Sequence, residues 1–512
     1  MNALLPKYDY VVVGAGSAGC VLARRLSEDG RASVLLIEAG PDDCGVPEIE
    51  RASAWTSLLR GAYDWGYNYA PASPTLHRPI PIPRGRVLGG SSSINAMLWN
   101  RGHPSDYDAW EAAGAKGWNF STLLPYFKRA EDWEGGETRY RGAGGPLRIE
   151  RSKDPHPIAL TLLEGAAELG LPIIDDHNGA SMEGAALSNV NMAGQSRSNA
   201  ARGYLRAAPQ PNLTVLTGSL AIGLCFEGAR CEAVRHVVSG YPIDTQASEI
   251  ILALGAIDTP RLLMMSGVGD PDELQRLGVR VKAALPGVGR NLQDHPLLMG
   301  INFSAKTPLG PVRDNGGGAM MNWRSSAARE APDLHAFVVQ GPHAGPEVAA
   351  AYDLSGDVFA ISPGLMRSAS VGRLRLLSAE PGAPMEIQPN FLAEPSDLDA
   401  LVESIDTIMA LSETRAYRAT IDRPVSPNSR RLSRQEKIEF VRLSCSTFFH
   451  ACGTCAMGTG GMSVVDPSLR VHGVENLRIA DASVMPIIPT CNTHAPVTAI
   501  AERAADLIRE AA

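Results

Sequence analysis

Two histidines stand where an imidazole could serve a reaction as acid or base. His450 lies in Phe448-Phe-His-Ala-Cys452-Gly-Thr-Cys455-Ala-Met-Gly458, and His494 in Cys491-Asn-Thr-His-Ala-Pro-Val497. Histidine is the side chain whose ordinary pKa lets it accept a proton near neutrality, so either could be the base of a reaction that needs one there. His450, Cys452 and Cys455 also form an HxCxxC cluster with three potential metal ligands. A closed zinc site requires a fourth ligand, and no second CxxC and no HxxxH occurs in the chain. A redox CxxC ordinarily opens the helix of a thioredoxin-like βαβ unit, which is not the context here. The two cysteines therefore read as small packing residues.

Residues 10–19, Tyr-Val-Val-Val-Gly-Ala-Gly-Ser-Ala-Gly, explain what such a base would work beside. An apolar strand runs directly into Gly14, Gly16 and Gly19. Gly14 permits the tight turn, Gly16 lets a pyrophosphate approach the backbone, and Gly19 lets the next helix pack close to the sheet. That helix, expected over Ser17 to Glu28, aims its free N–H groups and positive dipole end at the phosphates. A second apolar strand, Ser33 to Ile37, ends in Glu38, an acid placed to hold a ribose 2′-hydroxyl. The pattern implies FAD or NAD, and the carboxylate disfavours NADP.

Composition bounds the rest. With 512 residues, two domains are expected, with a large cofactor between them. A net charge of −8 and the absence of long basic tracts argue against nucleic acid or an anionic membrane as partner. Too few residues precede the first strand for a signal peptide, and no apolar run approaches the length of a membrane span, so a cytoplasmic location is expected. The eight cysteines are scattered and read as reduced thiols.

Further along, residues 84–102, Arg-Gly-Arg-Val-Leu-Gly-Gly-Ser-Ser-Ser-Ile-Asn-Ala-Met-Leu-Trp-Asn-Arg-Gly, offer a flexible backbone with many donors, suited to a flavin or its phosphates. Together with the opening fingerprint and Asp106-Tyr-Asp-Ala-Trp110, this stretch resembles the glucose–methanol–choline (GMC) oxidoreductases, a family of FAD-dependent alcohol oxidases and dehydrogenases. The resemblance extends through Leu254 to Gly267, Pro286-Gly-Val-Gly-Arg-Asn-Leu-Gln-Asp-His295, and the segment from Phe449 to Ile508.

The resemblance implies an α/β plus α+β fold: a Rossmann-like FAD-binding domain (1–154, 211–296 and 446–512) and an interleaved substrate domain on an antiparallel sheet (155–210 and 297–445). It places the cofactor against Gly14, Gly16, Ser17, Ala18, Gly19, Glu38 and Ala39, then Arg86, Val87, Gly90, Ser91, Asn95, Ala96, Met97 and Leu98. Further contacts are Ala221, Asp481, Ala482, Ala495 and Pro496. Some members bond the flavin covalently through a histidine at the position of Ile94, so FAD here is expected to be non-covalent. His450 matches the family's catalytic histidine, with His494 as the second active-site group, orienting the substrate oxygen.

The implied activity is oxidation of a primary alcohol to an aldehyde, with oxygen or another electron acceptor completing the cycle. A hydroxymethyl group on an aromatic ring, of pyridoxine or furfuryl type, is preferred over choline, whose quaternary ammonium needs an acidic or aromatic cage. A hydroxynitrile lyase-like enzyme and a non-catalytic flavoprotein are the alternatives outside alcohol oxidation. Locally, Trp118 to Trp133 is expected to be a helix capped by Ser121 with Pro125 in its first turn, and residues 41–83 a surface loop that could serve as a lid. Arg373-Leu-Arg-Leu-Leu377 reads as a half-buried strand, and Ala495 to Glu510 as a final helix whose N-terminus faces the flavin.

Overall fold

The computed structural model describes residues 4–207 and 209–511. Lys7–Val13 (β1) lies between Val34–Ile37 (β2) and Tyr241–Leu252, parallel to both, and Val11, Val12 and Val13 have no exposed surface. A strand covered on both faces must be apolar throughout, which is why this run does not alternate. Between the two strands, Ser17–Ser27 (α1) packs over the sheet and against the C-terminal helix His494–Arg509.

The sheet has seven strands. Its order is Leu213–Leu216, β2, β1, Tyr241–Leu252, Arg230–Val238, Leu220–Glu227, with Leu477–Ile479 paired in parallel to the end of Tyr241–Leu252. The last three strands of that path form an antiparallel meander.

A second sheet of eight strands, mainly antiparallel, runs in the order Ile421–Ser426, Asn302–Ala305, Val358–Leu365, Leu334–Val339, Ala319–Trp323, Gly184–Leu187; Pro296–Leu298 joins it to Cys445–Thr447. Helices Pro157–Glu168 and Pro395–Ser412 cover one face. Alternation sorts its side chains: Leu334, Ala336 and Val338 enter the helix-covered core, whereas Phe337 joins Met320, Leu297 and Phe448 in a smaller cluster with Met97 and Leu98. The opposite face of this sheet is thereby turned toward residues 84–102.

Local structure departs from the sequence reading in several places. The helix expected at Trp118–Trp133 spans Phe120–Ala130, capped by Asn119, whose Oδ1 accepts from the Thr122 N–H at 2.9 Å, while Ser121 Oγ donates to the same oxygen. Pro125 is the sixth helical residue, beyond the first turn. The helix stops because Glu131–Trp133 pairs as a strand with Leu147–Arg151. The final helix starts one residue earlier than expected, at His494. Arg373–Leu376 is a half-buried strand, paired antiparallel with Met385–Gln388 as a separate ribbon. Residues 41–83 are more buried than a surface loop, with Ile49, Trp55, Tyr69, Ile80 and Ile82 inside the protein.

Candidate active site

The glycines of the opening turn form a cradle that any side chain would fill. Gly14 has φ +97°, and a Cβ there would lie 2.6 Å from the Ala253 carbonyl oxygen. A Cβ on Gly19 would sit 1.8 Å from the Gly14 carbonyl oxygen, so only glycine allows α1 this close to the strand. Gly90, at φ +54°, brings its Cα side onto Gly16, laying residues 89–95 over the turn. No side chain caps the start of α1, which leaves its N–H groups for an anion. The cradle, the uncapped helix and the cavity they open into fit a dinucleotide.

Glu38 is buried beside this turn, but its oxygens already have partners. Oε2 accepts from the Ala15 N–H at 2.9 Å and Oε1 from the Gly40 N–H at 2.8 Å. Burial raises its pKa to about 7 against the lowering effect of those two bonds. Each oxygen keeps a further acceptor site for a ribose hydroxyl.

One elongated cavity runs from this cradle to His450, and every expected cofactor residue lines it except Gly19, Arg86, Val87, Ala495 and Pro496. Gly19 acts through packing, the Arg86 guanidinium lies 4.9 Å from the Trp65 ring centroid, and Val87 is buried against Ile94. Ala495 and Pro496 are buried in the first turn of the last helix.

At the far end His450 is held on three sides. Its backbone N–H donates to Asp294 Oδ1 at 2.8 Å, its Nδ1 is 2.9 Å from His295 Nδ1, and its Nε2 is 3.2 Å from Asn492 Nδ2. Asn492 Oδ1 accepts from Asn100 Nδ2 at 2.7 Å, which turns the amide N–H toward His450. With Nε2 as acceptor, the single proton of a neutral His450 sits on Nδ1 and is donated to His295 Nδ1. At the cavity wall the Nε2 lone pair accepts from the Asn492 amide, and a substrate hydroxyl must take that amide's place on it. Burial, followed by the fields of His295, Arg84 and His335, holds His450 well below the ordinary histidine pKa, so the ring is neutral and able to accept a proton.

The structure brings Asn492, not His494, against His450. The chain enters the last helix at His494, and that ring packs edge-on against Trp99, with centroids 5.3 Å apart. Trp99 is itself fixed by donating to Glu131 Oε2. Both nitrogens of His494 are buried without a hydrogen-bond partner among the described residues, and burial lowers its pKa to about 4. It lines the cavity as a neutral ring.

Sequence reasoning assigned no chemistry to Asp294, His295 and Asn492, although all three lie in stretches that carried the family resemblance. It also missed the aromatic wall beside the base. Phe448 stacks on His450 at 4.9 Å, Phe337 lies 5.3 Å from Phe448, and both line the cavity. Gly364 makes room for Phe448, whose ring carbons would be 2.9 Å from a Cβ at that position.

Cys452 and Cys455 are buried in the apolar core, and all the cysteines are free. Among the described residues no group of His, Cys, Asp and Glu is arranged to hold a metal ion, and no helix is long and apolar enough to cross a membrane.

Comparison with known proteins agrees with this architecture. The family models for GMC oxidoreductase match residues 8–297 and 368–501. The chain is 38% identical to the mitochondrial choline dehydrogenase of Homo sapiens, over 98% of this chain and 90% of that protein. It is 37% identical to an oxygen-dependent choline dehydrogenase of Chromohalobacter salexigens, over 98% and 95%. The crystal structure of pyridoxine 4-oxidase from Mesorbium loti superposes with a TM-score of 0.94 at 34% identity, covering 98% of this chain and 99% of that one.

Proposed function

The chain belongs to the GMC oxidoreductases, FAD-dependent enzymes that act on alcohol CH–OH groups, and from that premise we propose that it oxidises a primary alcohol carried on an aromatic ring to the aldehyde. The observation that carries this reading is the wall beside His450. Phe337, Phe448 and Leu297 give it an apolar, ring-sized face. The acidic residues lining the cavity are Glu38, Asp258 and Asp481, each already bonded: Glu38 to Ala15 and Gly40, Asp258 to Tyr67, Asp481 to Gly255 and Thr259. A quaternary ammonium in this cavity would meet no unbonded carboxylate among the described lining residues and would have to be held by the aromatic face alone. The identity to choline dehydrogenases favours choline as the second reading.

Bound FAD supplies the hydride acceptor, and Gly14, Gly16, Ser17, Glu38, Gly90, Asn95, Asp481 and the start of the last helix would hold it. The substrate hydroxyl gives its proton to His450 Nε2. The positive charge that develops is eased by the Nδ1–H bond to His295, and the Asn492 amide donates to the substrate oxygen to fix its direction. His494 closes the cavity on the side of the last helix as a neutral ring. Residues 1–154, 211–296 and 446–512 form the FAD-binding domain and 155–210 with 297–445 the substrate domain; the seven-stranded sheet drawn from the first set supports this division. Free cysteines suit the reducing cytoplasm.

An anaerobic panel of aromatic alcohols, aliphatic alcohols and choline tests the reading, with flavin bleaching as the signal. Aromatic alcohols are expected to bleach the flavin at the lowest concentrations; preferential bleaching by choline would reverse the assignment. The same panel in air, read by peroxide formation, reports whether oxygen accepts the electrons.

The buried Ile94 has no nucleophile for a covalent link, so acid precipitation is expected to leave all of the flavin in the supernatant. Glu38→Ala is expected to weaken FAD binding by about 1.5–3 kcal/mol, because it removes a charge-assisted acceptor from the ribose and strands the Ala15 and Gly40 N–H groups. Titration of the apoprotein with FAD measures it; unchanged affinity would remove Glu38 from the site.

A further inference from the structure

At the other end of the aromatic wall stands His343, which neither the sequence motifs nor the proposed chemistry uses. Its ring is 5.9 Å from that of Phe337, so His343, Phe337, Phe448 and His450 form a continuous row of rings lining one cavity. The position is built. The His343 backbone N–H donates to Asn302 Oδ1 at 2.9 Å, and Asn302 Nδ2 donates back to the His343 carbonyl at 3.2 Å. Asn302 is fully buried and its amide also donates to Ser426 Oγ.

The ring's tautomer follows from its partner. Ser362, fully buried and paired across the sheet with Phe337, has His343 Nδ1 as its only side-chain hydrogen-bond partner among the described residues, at 2.7 Å. A buried hydroxyl that withheld its proton from that nitrogen would leave an O–H unsatisfied. Ser362 is therefore the donor and Nδ1 the acceptor. The neutral ring then carries its proton on Nε2, which has no hydrogen-bond partner among the described residues. Burial lowers the His343 pKa to about 4, so no second proton is held at neutral pH.

We infer that His343 is a specificity-determining residue whose Nε2–H receives a hydrogen-bond acceptor, such as a carbonyl oxygen or ring nitrogen, on the side of the substrate ring remote from the alcohol. This rests on the aromatic-alcohol reading above. The ring lies along Phe337 and Phe448 with its hydroxymethyl group at His450, and the remote acceptor ends at His343. A substrate ring that covers this cavity-facing donor without offering an acceptor leaves it unpaired, the arrangement by which enzymes discriminate most strongly.

The test compares 4-(hydroxymethyl)benzaldehyde with 4-methylbenzyl alcohol, using kcat/KM in the holoenzyme and in His343→Phe, which keeps an aromatic ring but has no donor. Taking the ratio of the two alcohols in each protein and comparing the ratios cancels the electronic effect of the substituent on hydride transfer. The preference for the aldehyde-bearing alcohol is expected to fall roughly 10–100-fold in His343→Phe. His343→Gln, which restores a donor, is expected to recover part of it. Ser362→Ala releases the tautomer and is expected to lower the preference several-fold, so the assignment can be read even if His343→Phe does not fold. Equal ratios in wild type, His343→Phe and Ser362→Ala, with both alcohols still reducing the flavin, would overturn the assignment of His343 alone. Failure of both alcohols to reduce the wild-type flavin would overturn the aromatic-alcohol reading and this assignment with it.

Discussion

His450→Ala is expected to slow anaerobic flavin reduction by about 10²–10⁴-fold, equivalent to about 3–5 kcal/mol of barrier, the range lost with a positioned general base. His450 Nε2 is the accepting nitrogen, because the Nδ1 proton is committed to His295, and its lone pair passes from the Asn492 amide to an arriving substrate hydroxyl. A substrate hydroxyl placed there has no other base within the described cluster, since Asn492 donates and His295 is turned away behind His450. Flavin content of the variant must be checked, because alanine also removes the partner of His295 Nδ1 and of the Asn492 amide N–H.

Direction of the pH dependence follows from the same burial. A base must be neutral to work, so activity is lost as pH falls through its pKa in the folded protein. That value lies well below the ordinary 6.5, so the rate of flavin reduction is expected to stay flat as pH is lowered through 6.5 and to fall only further into acid. Stopped-flow reduction over a pH series that brackets this value gives the acid limb; a midpoint at or above 6.5 would contradict the neutral, desolvated ring. His494→Asn is expected to cost much less than His450→Ala, because the His494 nitrogens bond to nothing in the described structure and its ring acts through contact. A His494→Asn enzyme slower than His450→Ala would exchange their roles.

How much of this was legible in the sequence depends on how local each feature is. The glycine turn and its flanking strands are fixed by steric rules within a few dozen residues, and the structure has them where they were expected, with Glu38 beside the turn. His450 was legible because a motif surrounds it. Asn492 was not, since the choice between it and His494 turns on a single change of backbone path, from a turn into a helix, that decides which side chain faces the base. The aromatic wall was hidden for a different reason. Phe337, Ser362 and Gly364 share a face only through the register of two antiparallel strands, and a one-residue slip would put Phe337 on the face opposite Ser362 and Gly364. Helix ends also followed tertiary demands: Glu131 leaves its helix because its carboxylate is claimed by Arg101 and Arg141 and its backbone by Leu147.

Asp294→Ala is expected to be the most damaging change outside His450. The buried carboxylate accepts four hydrogen bonds: from the backbone N–H groups of His295 and His450, both at 2.8 Å, from Tyr69 Oη at 2.6 Å, and from the Thr447 hydroxyl. Arg84, whose guanidinium donates to the Phe449 carbonyl, lies in its field. Burial raises the carboxyl above its ordinary pKa, so the charge itself is not what stabilises the fold. Its value is in fixing the two histidine backbones relative to each other. Alanine strands four donors and the Arg84 cation, a loss of about 3–5 kcal/mol. It also frees His450 to shift, and a misplacement of about 1 Å costs on the order of 10²-fold in rate. Asparagine should behave differently. Its oxygen can keep both backbone bonds while the Tyr69 and Thr447 hydroxyls rotate to accept from its amide, so a smaller loss of stability than in Asp294→Ala is expected. Denaturant unfolding and stopped-flow reduction of both variants decide the matter: equal losses in Asp294→Ala and Asp294→Asn would make the negative charge, rather than the pattern of acceptors, the element that positions the base.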